Sequence, residues 1–120
     1  MLRNMLISKI HRAVVTQRDL NYVGSITIDA NLLKISGMKP DEKVEIYNIS
    51  NGSRFATYII EGEAGSGIIG INGAAARLVS IGDLIIIVNY GLMNEQEAAN
   101  HKSAIVIVED ENNKKFHLKK

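Results

Sequence analysis

Ser25 stands directly after Gly24 in the stretch Tyr22-Val23-Gly24-Ser25-Ile26-Thr27-Ile28. Glycine opens backbone conformations closed to other residues, so a bent or strained peptide costs least there. A serine hydroxyl next to such a bond can turn back on the Gly24 carbonyl. Taken alone, a Gly-Ser step is an ordinary turn pair. A second stretch, Asn51-Gly52-Ser53-Arg54-Phe55-Ala56-Thr57-Tyr58, holds a planar cation, a hydroxyl and a phenol close together. Arg54 offers a two-pronged grip on a carboxylate, Thr57 can donate to an oxyanion, and Tyr58 can give or take a proton. In isolation this run reads as a hairpin with a surface arginine and a packed tyrosine. The third stretch, Asn72-Gly73-Ala74-Ala75-Ala76, leaves little side chain in front of its amides where a helical turn begins, so ligand oxygens can approach them. Close packing of a small helix is the competing reading there.

Composition excludes several other chemistries. The chain has no cysteine, which removes disulfides, thiolate metal sites and cysteine nucleophiles together. The histidines, His11, His101 and His117, lack metal-ligand spacing, and no metal is expected. Fourteen Lys and Arg against 13 Asp and Glu give a net charge of +1. That balance provides neither a basic field for nucleic acid nor a polybasic patch for a membrane. At 120 residues with 46% hydrophobic content, a single soluble domain is expected, small enough to gain from oligomerisation. No stretch approaches the ~18 consecutive apolar residues of a spanning helix. The basic N-terminus lacks the apolar run and cleavage site of a secretory signal, so a cytoplasmic protein is expected.

The elements that must position these residues are short. Leu6 to Val15 alternates loosely, with Ile7, Lys9 and His11 on one face and Leu6, Ser8 and Ile10 on the other; a solvated face is the ordinary reading of Lys9 and His11. Asp19 to Tyr22 reads as a loop and Ser25 to Ile28 as a strand. Asp29 is an N-cap for a helix over Ala30 to Ser36, stopped by Gly37. Pro40-Asp41 is a turn. Strands follow over Lys43 to Ile49 and Ser53 to Glu61, joined at Asn51-Gly52. On the second of these, Arg54, Ala56 and Tyr58 share one face and Phe55, Thr57 and Ile59 the other. After a loop from Gly62 to Gly67 come a strand over Ile68 to Ile71 and a helical turn from Asn72 to Arg77. Leu84 to Asn89 is continuously apolar and reads as buried on both faces. A polar helix over Glu95 to His101, a strand over Ala104 to Val108 and a charged tail from Asp110 to Lys120 complete the chain. Short strands without regular βα alternation point to a small, mainly β barrel with short helices.

From Met1 to about Ala98 the chain resembles the bacterial aspartate 1-decarboxylases, a pyruvoyl-dependent family. The resemblance rests on Lys9-Ile10-His11-Arg12, Leu20-Asn21-Tyr22-Val23-Gly24-Ser25, the N-x-x-N-G-x-R-F-x-T-Y run from Asn48 to Tyr58, Asn72-Gly73-Ala74-Ala75-Ala76 and Gly82-Asp83, all at the family's mutual spacing. Tyr47 stands where a tryptophan is common, Asn94 replaces a usual proline, and the tail after Val108 is short and lysine-rich.

The resemblance implies a six-stranded double-psi β-barrel, a homotetramer, and a single domain that cuts itself between Gly24 and Ser25 into fragments 1–24 and 25–120. Ser25 would attack the Gly24 carbonyl, with Thr57 as oxyanion donor, and elimination and hydrolysis would leave a pyruvoyl group at residue 25. That group replaces any external cofactor. The implied reaction decarboxylates L-aspartate to β-alanine and CO2 through a Schiff base, for pantothenate and coenzyme A supply, with Tyr58 as the proton donor. Lys9 and Arg54 would bind the two carboxylates and the Gly73, Ala74 and Ala75 amides would hold substrate. Asn72, Tyr22 and His11 are further candidates. Whether cutting is spontaneous or assisted by a maturation factor is open at this level. Two other functions stay in view: a non-catalytic double-psi barrel binding module, and a pyruvoyl decarboxylase of another amino acid.

Overall fold

A computed structural model describes residues 1–120. Its nine strands are β1 Arg3–Val14, β2 Gln17–Asp19, β3 Ser25–Asp29, β4 Lys43–Asn48, β5 Arg54–Gly62, β6 Ile69–Asn72, β7 Leu84–Met93, β8 Ala104–Val108 and β9 Phe116–Leu118. They form one sheet in the order β2-β6-β3-β5-β4-β7-β1-β8-β9. Six strands have five or more residues, which matches the expected mainly β architecture; β2, β6 and β9 are shorter additions. The charged tail departs from expectation: Phe116–Leu118 returns as β9 against β8, because β8 offers it an open ladder.

Connectivity forces this sheet to curl. β2 is first and β1 seventh in the order, yet only Val15 and Thr16 separate them in the chain. Three Cα steps span at most ~11 Å, whereas six strand spacings in a flat sheet cover ~29 Å. The β2 edge therefore folds round to the end of β1. Hydrogen bonds across the gap, from Val15 N to Asp83 O at 2.9 Å and from Thr16 N to Ile69 O at 2.9 Å, fasten it there.

The inside of the curl is one apolar core. Ile10, Ile26, Ile46, Ile59, Ile71 and Ile87 are fully buried. Each contributes ~2–3 kcal/mol of transfer free energy. They alternate with outward residues, so the two faces of β1 and β5 divide as their sequences suggest. β7 departs from expectation: Ile85 and Ile87 are buried, but Leu84 and Ile86 are only half-buried because they point outward.

Local signals set the helices. In α1, Ala30–Ser36, the Asp29 carboxylate accepts from Asn31 N and Gly37 closes the helix at φ 77°. The same carboxylate accepts from Gly65 N at 3.1 Å and Gly67 N at 2.7 Å, docking the 62–67 loop on the helix start. In α2, Glu95–Asn100, Asn94 makes a reciprocal capping box with Glu97, so the residue found in place of a proline supplies the cap. No helix is long and apolar enough to cross a membrane.

One tail residue ties three segments together. Asn113 is fully buried at φ 56°; its amide donates to Val14 O at 2.8 Å and Gly67 O at 2.9 Å and accepts from Val14 N at 2.7 Å. Asn113→Ala leaves those backbone groups unpaired and places alanine in a left-handed conformation, so unfolding free energy should fall by ~3 kcal/mol. Urea denaturation checks this, and an unchanged midpoint would mean the tail is not part of the folded unit.

Candidate active site

Ser25 opens β3 at the point where the chain passes from exposed residues into the core. Leu20, Tyr22 and Val23 are exposed, while Ser25 is fully buried. Its Oγ donates to Val23 O at 3.0 Å and accepts from Asn72 Nδ2 at 2.9 Å. Asn72 lies opposite Ser25 in the β3–β6 ladder, and the same Nδ2 also donates to Thr27 Oγ1 at 3.1 Å. Thr27 was not among the sequence candidates, although the two-residue period of a strand places it on the Ser25 face.

The next residue decides how closely the segments approach. Gly73 has φ 75°, and a Cβ there would sit 2.6 Å from Gly24 Cα and 2.9 Å from Gly24 N. Two glycine backbones thus press together, and the third sequence stretch packs against the first. Gly73–Leu78 is a 3-10 helix rather than the start of an α-helix. Its cap residue Asn72 makes no capping hydrogen bond; its Nδ2 donates instead across the strands to Ser25 and Thr27. Arg18 holds the other end through Nε to Ala76 O at 3.0 Å.

At the junction itself Gly24 does not have a positive φ, and a Cβ there would meet nothing within 4 Å. The Ser25 hydroxyl proton is engaged by Val23 O.

β5 brings up the second stretch. It runs parallel to β3 with Ile26 opposite Ile59. One step before that pair, Tyr58 and Ser25 stand at the same end of adjacent strands; both precede a core residue and so lie on the sheet face opposite the isoleucine core, where Ser25 is fully buried and Tyr58 half-buried. Thr57, a step earlier still, alternates to the Phe55 and Ile59 side and is half-buried.

The expected cations lie elsewhere. Arg54 is four residues from Tyr58, ~13 Å along the strand. Its guanidinium lies 4.1 Å from the centroid of the Tyr47 ring on β4, the neighbour of β5 remote from β3. Lys9 and His11 are on β1, four strands from β3, or ~19 Å measured round the curved sheet. Cross-strand pairs join them to the Arg54 side. Ile86 lies opposite both Tyr47 and His11, and Val88 opposite both Glu45 and Lys9. One outward surface therefore carries Arg54, Tyr47, Lys9 and His11, while Ser25, Asn72 and Tyr58 occupy another part of the same sheet face. None of the three surface clefts is lined by Ser25, Tyr58 or Asn72; the largest, about 500 Å³, borders Ile81, Gly82 and Leu84. Tyr22 touches the junction through its backbone, with its carbonyl 3.4 Å from the Gly73 Cβ position.

The fold and this site define a mainly β protein whose buried serine, at a Gly-Ser step, is held by an asparagine amide beside a tyrosine. Family comparison makes the assignment specific. A family model described as aspartate decarboxylase matches residues 1–115. The chain is 57% identical over 118 residues to an aspartate 1-decarboxylase of Thermoanaerobacter pseudethanolicus, covering 98% of this chain and 100% of the relative. It is 59% identical over 112 residues to that of Caldicellulosiruptor bescii, covering 93% and 88%, and 54% identical over the same length and shares to that of Bacillus subtilis. The chain belongs to the aspartate decarboxylase family.

His11 supplies a pH test of the outward surface. Its Nδ1 is buried without a hydrogen-bond partner. Burial first, then the charges of Lys9, Arg12 and Lys119, hold its pKa below the ordinary 6.5. The unfolded chain therefore takes up a proton that the folded chain refuses as pH falls below 6.5. Stability should drop on acidification through this window, and His11→Gln should flatten that limb. Urea midpoints between about pH 7 and pH 5.5 for both proteins check this; parallel slopes would assign the acid limb to other groups.

Proposed function

We propose that this chain decarboxylates L-aspartate to β-alanine and CO2 after cutting its own backbone between Gly24 and Ser25. The observation that carries the reading is the setting of Ser25: a buried hydroxyl held by Asn72, with Tyr58 on the adjoining strand, in a member of the aspartate decarboxylase family. The product supplies pantothenate synthesis, a cytoplasmic role.

In the cut, Ser25 Oγ bonds to the Gly24 carbonyl carbon and the Gly24–Ser25 C–N bond breaks, freeing the Ser25 nitrogen as an amine. Elimination takes the ester oxygen away with Gly24 as its carboxylate. Hydrolysis at residue 25 then releases ammonia and leaves a ketone. Serine is a weak nucleophile and needs an activated amide and an oxyanion donor. Here the hydroxyl must first release Val23 O, while the Asn72 amide holds the oxygen at the junction. Thr57, alongside Gly24 in the extended register, is the oxyanion donor in this reading.

The residues present suit a pyruvoyl group at position 25: the Asn72 Nδ2 that donates to Ser25 Oγ is an appropriate donor for a carbonyl oxygen on the same residue. When formed, that group supplies the electrophile for the substrate amine and the sink for the electron pair freed with CO2. The chain supplies the rest. Arg54 and Lys9 bind the two carboxylates, the amides of Gly73, Ala74 and Ala75 orient the substrate, and the Tyr58 hydroxyl returns a proton to the α-carbon. Because Arg54 and Lys9 stand away from Ser25 within one chain, this reading takes them from a neighbouring copy in a homotetramer. The second copy would also wall in a site that borders no cleft of the single chain.

Ser25→Ala should fold, remain one uncut chain on denaturing electrophoresis, and release no CO2 from aspartate. Cutting that persists in it would remove Ser25 as nucleophile. Tyr58→Phe should yield fragments 1–24 and 25–120 normally yet lose ~10²–10⁴-fold in β-alanine turnover; near-parental turnover would place the proton donor elsewhere. Carbon dioxide release measured across aspartate, glutamate and neutral amino acids tests the substrate, and equal rates on all would defeat the aspartate assignment.

A further inference from the structure

We infer that Tyr90, through its hydroxyl contact with Tyr47, positions Arg54 for carboxylate binding. This rests on the reading above in taking Arg54 as a carboxylate ligand, but the platform itself lies within one chain.

Arg54 is exposed, and neither the Arg3–Glu95 ion pair nor the His117–Glu109 contact involves it. An arginine so placed would ordinarily sample many rotamers. Instead its guanidinium lies over the Tyr47 ring, 4.1 Å from the centroid, and the two residues are directly opposite in the β4–β5 ladder. All five N–H donors lie in the guanidinium plane, so stacking occupies its face and leaves the hydrogen-bonding edge free for a planar anion.

A tyrosine ring is a poor platform if it can swing. Tyr47 Oη meets Tyr90 Oη at 3.1 Å, a contact between β4 and β7. The residues are not direct partners: Tyr47 is opposite Ile86, whereas Tyr90 lies four residues further along β7. The two side chains must lean toward one another across the Glu45–Val88 pair, which fixes the inclination of the ring beneath Arg54. The Tyr90 contact is also the largest cause raising the Tyr47 pKa to about 12, with burial and the charges of Tyr90 and Glu45 adding to it. Tyr47 therefore stays protonated at physiological pH, and the ring beneath Arg54 stays neutral. A tryptophan at position 47 would present a wider ring face without a hydroxyl to anchor.

The test measures KM and kcat for L-aspartate, and Kd for succinate as a non-reacting dicarboxylate probe, in the parent and in Tyr90→Phe, Tyr47→Leu, Tyr47→Trp and Tyr47→Trp/Tyr90→Phe. Tyr90→Phe should raise KM and succinate Kd about fivefold, the scale of an exposed cation–π contact, with kcat and the extent of chain cutting unchanged. Tyr47→Leu should raise both constants at least as far, and Tyr47→Trp should recover them. In the tryptophan background Tyr90→Phe should add nothing, since the anchored hydroxyl is already gone. Ultraviolet titration of Tyr90→Phe should return Tyr47 from about 12 toward the ordinary 10.0.

Unchanged succinate Kd in Tyr90→Phe and Tyr47→Leu overturns the inference, as does a fall in kcat at constant KM. Parent protein that binds no succinate also overturns it. Parent that binds succinate with the expected variant pattern but releases no CO2 from aspartate keeps the platform and defeats the proposed decarboxylation.

Discussion

The contact between Gly73 and Gly24 governs what this fold can do at residue 25. A side chain at position 73 would overlap the Gly24 backbone, so the two segments meet only because the position is bare. That approach aligns Asn72 opposite Ser25 and commits its amide to the serine hydroxyl and to Thr27. The Asn72 side chain, turned across the strands, makes no capping hydrogen bond to the 3-10 turn that it begins.

The rest of the sheet serves this contact by curvature. The two-residue passage from β1 to β2 bends nine strands around an isoleucine-rich core and brings Asp19 of β2 alongside Asn72 of β6. Inside, matched branched side chains make the curl stiff. On the other face of the sheet, strand alternation makes two groups of functional side chains. One is the buried serine and its asparagine. The other, on β1, β4 and the start of β5, holds Lys9, His11 and the stacked pair of Arg54 and Tyr47.

Much of this was legible in the sequence where the governing signal is local. Asp29 and Gly37 bound α1 as expected because capping and a left-handed stop need only neighbouring residues. The division of β1 and β5 into inward and outward faces also follows from alternation alone. Signals that depend on distant partners were invisible. β2 and β9 are three residues each and exist because β6 and β8 supply ladders for them. Thr27 gains its role from Asn72, 45 positions away, and Tyr90 gains its role from Tyr47, 43 positions away. The separation of Lys9 from Ser25 was equally hidden, since spacing along a chain says nothing about how a sheet orders its strands. The sequence also does not single out Gly73, the glycine whose positive φ and missing side chain the packing requires.

The location of β1 bears on what a break after Gly24 would leave behind. This strand is interior to the sheet, matched at ten positions with β7 and at four with β8. A 24-residue piece ending beyond it would stay zipped between two neighbours, and to depart it would have to tear open the middle of the sheet. Scission would then create two new chain ends beside Ser25 while the scaffold kept its shape. The severed segment would persist as a structural subunit, unlike a discarded leader.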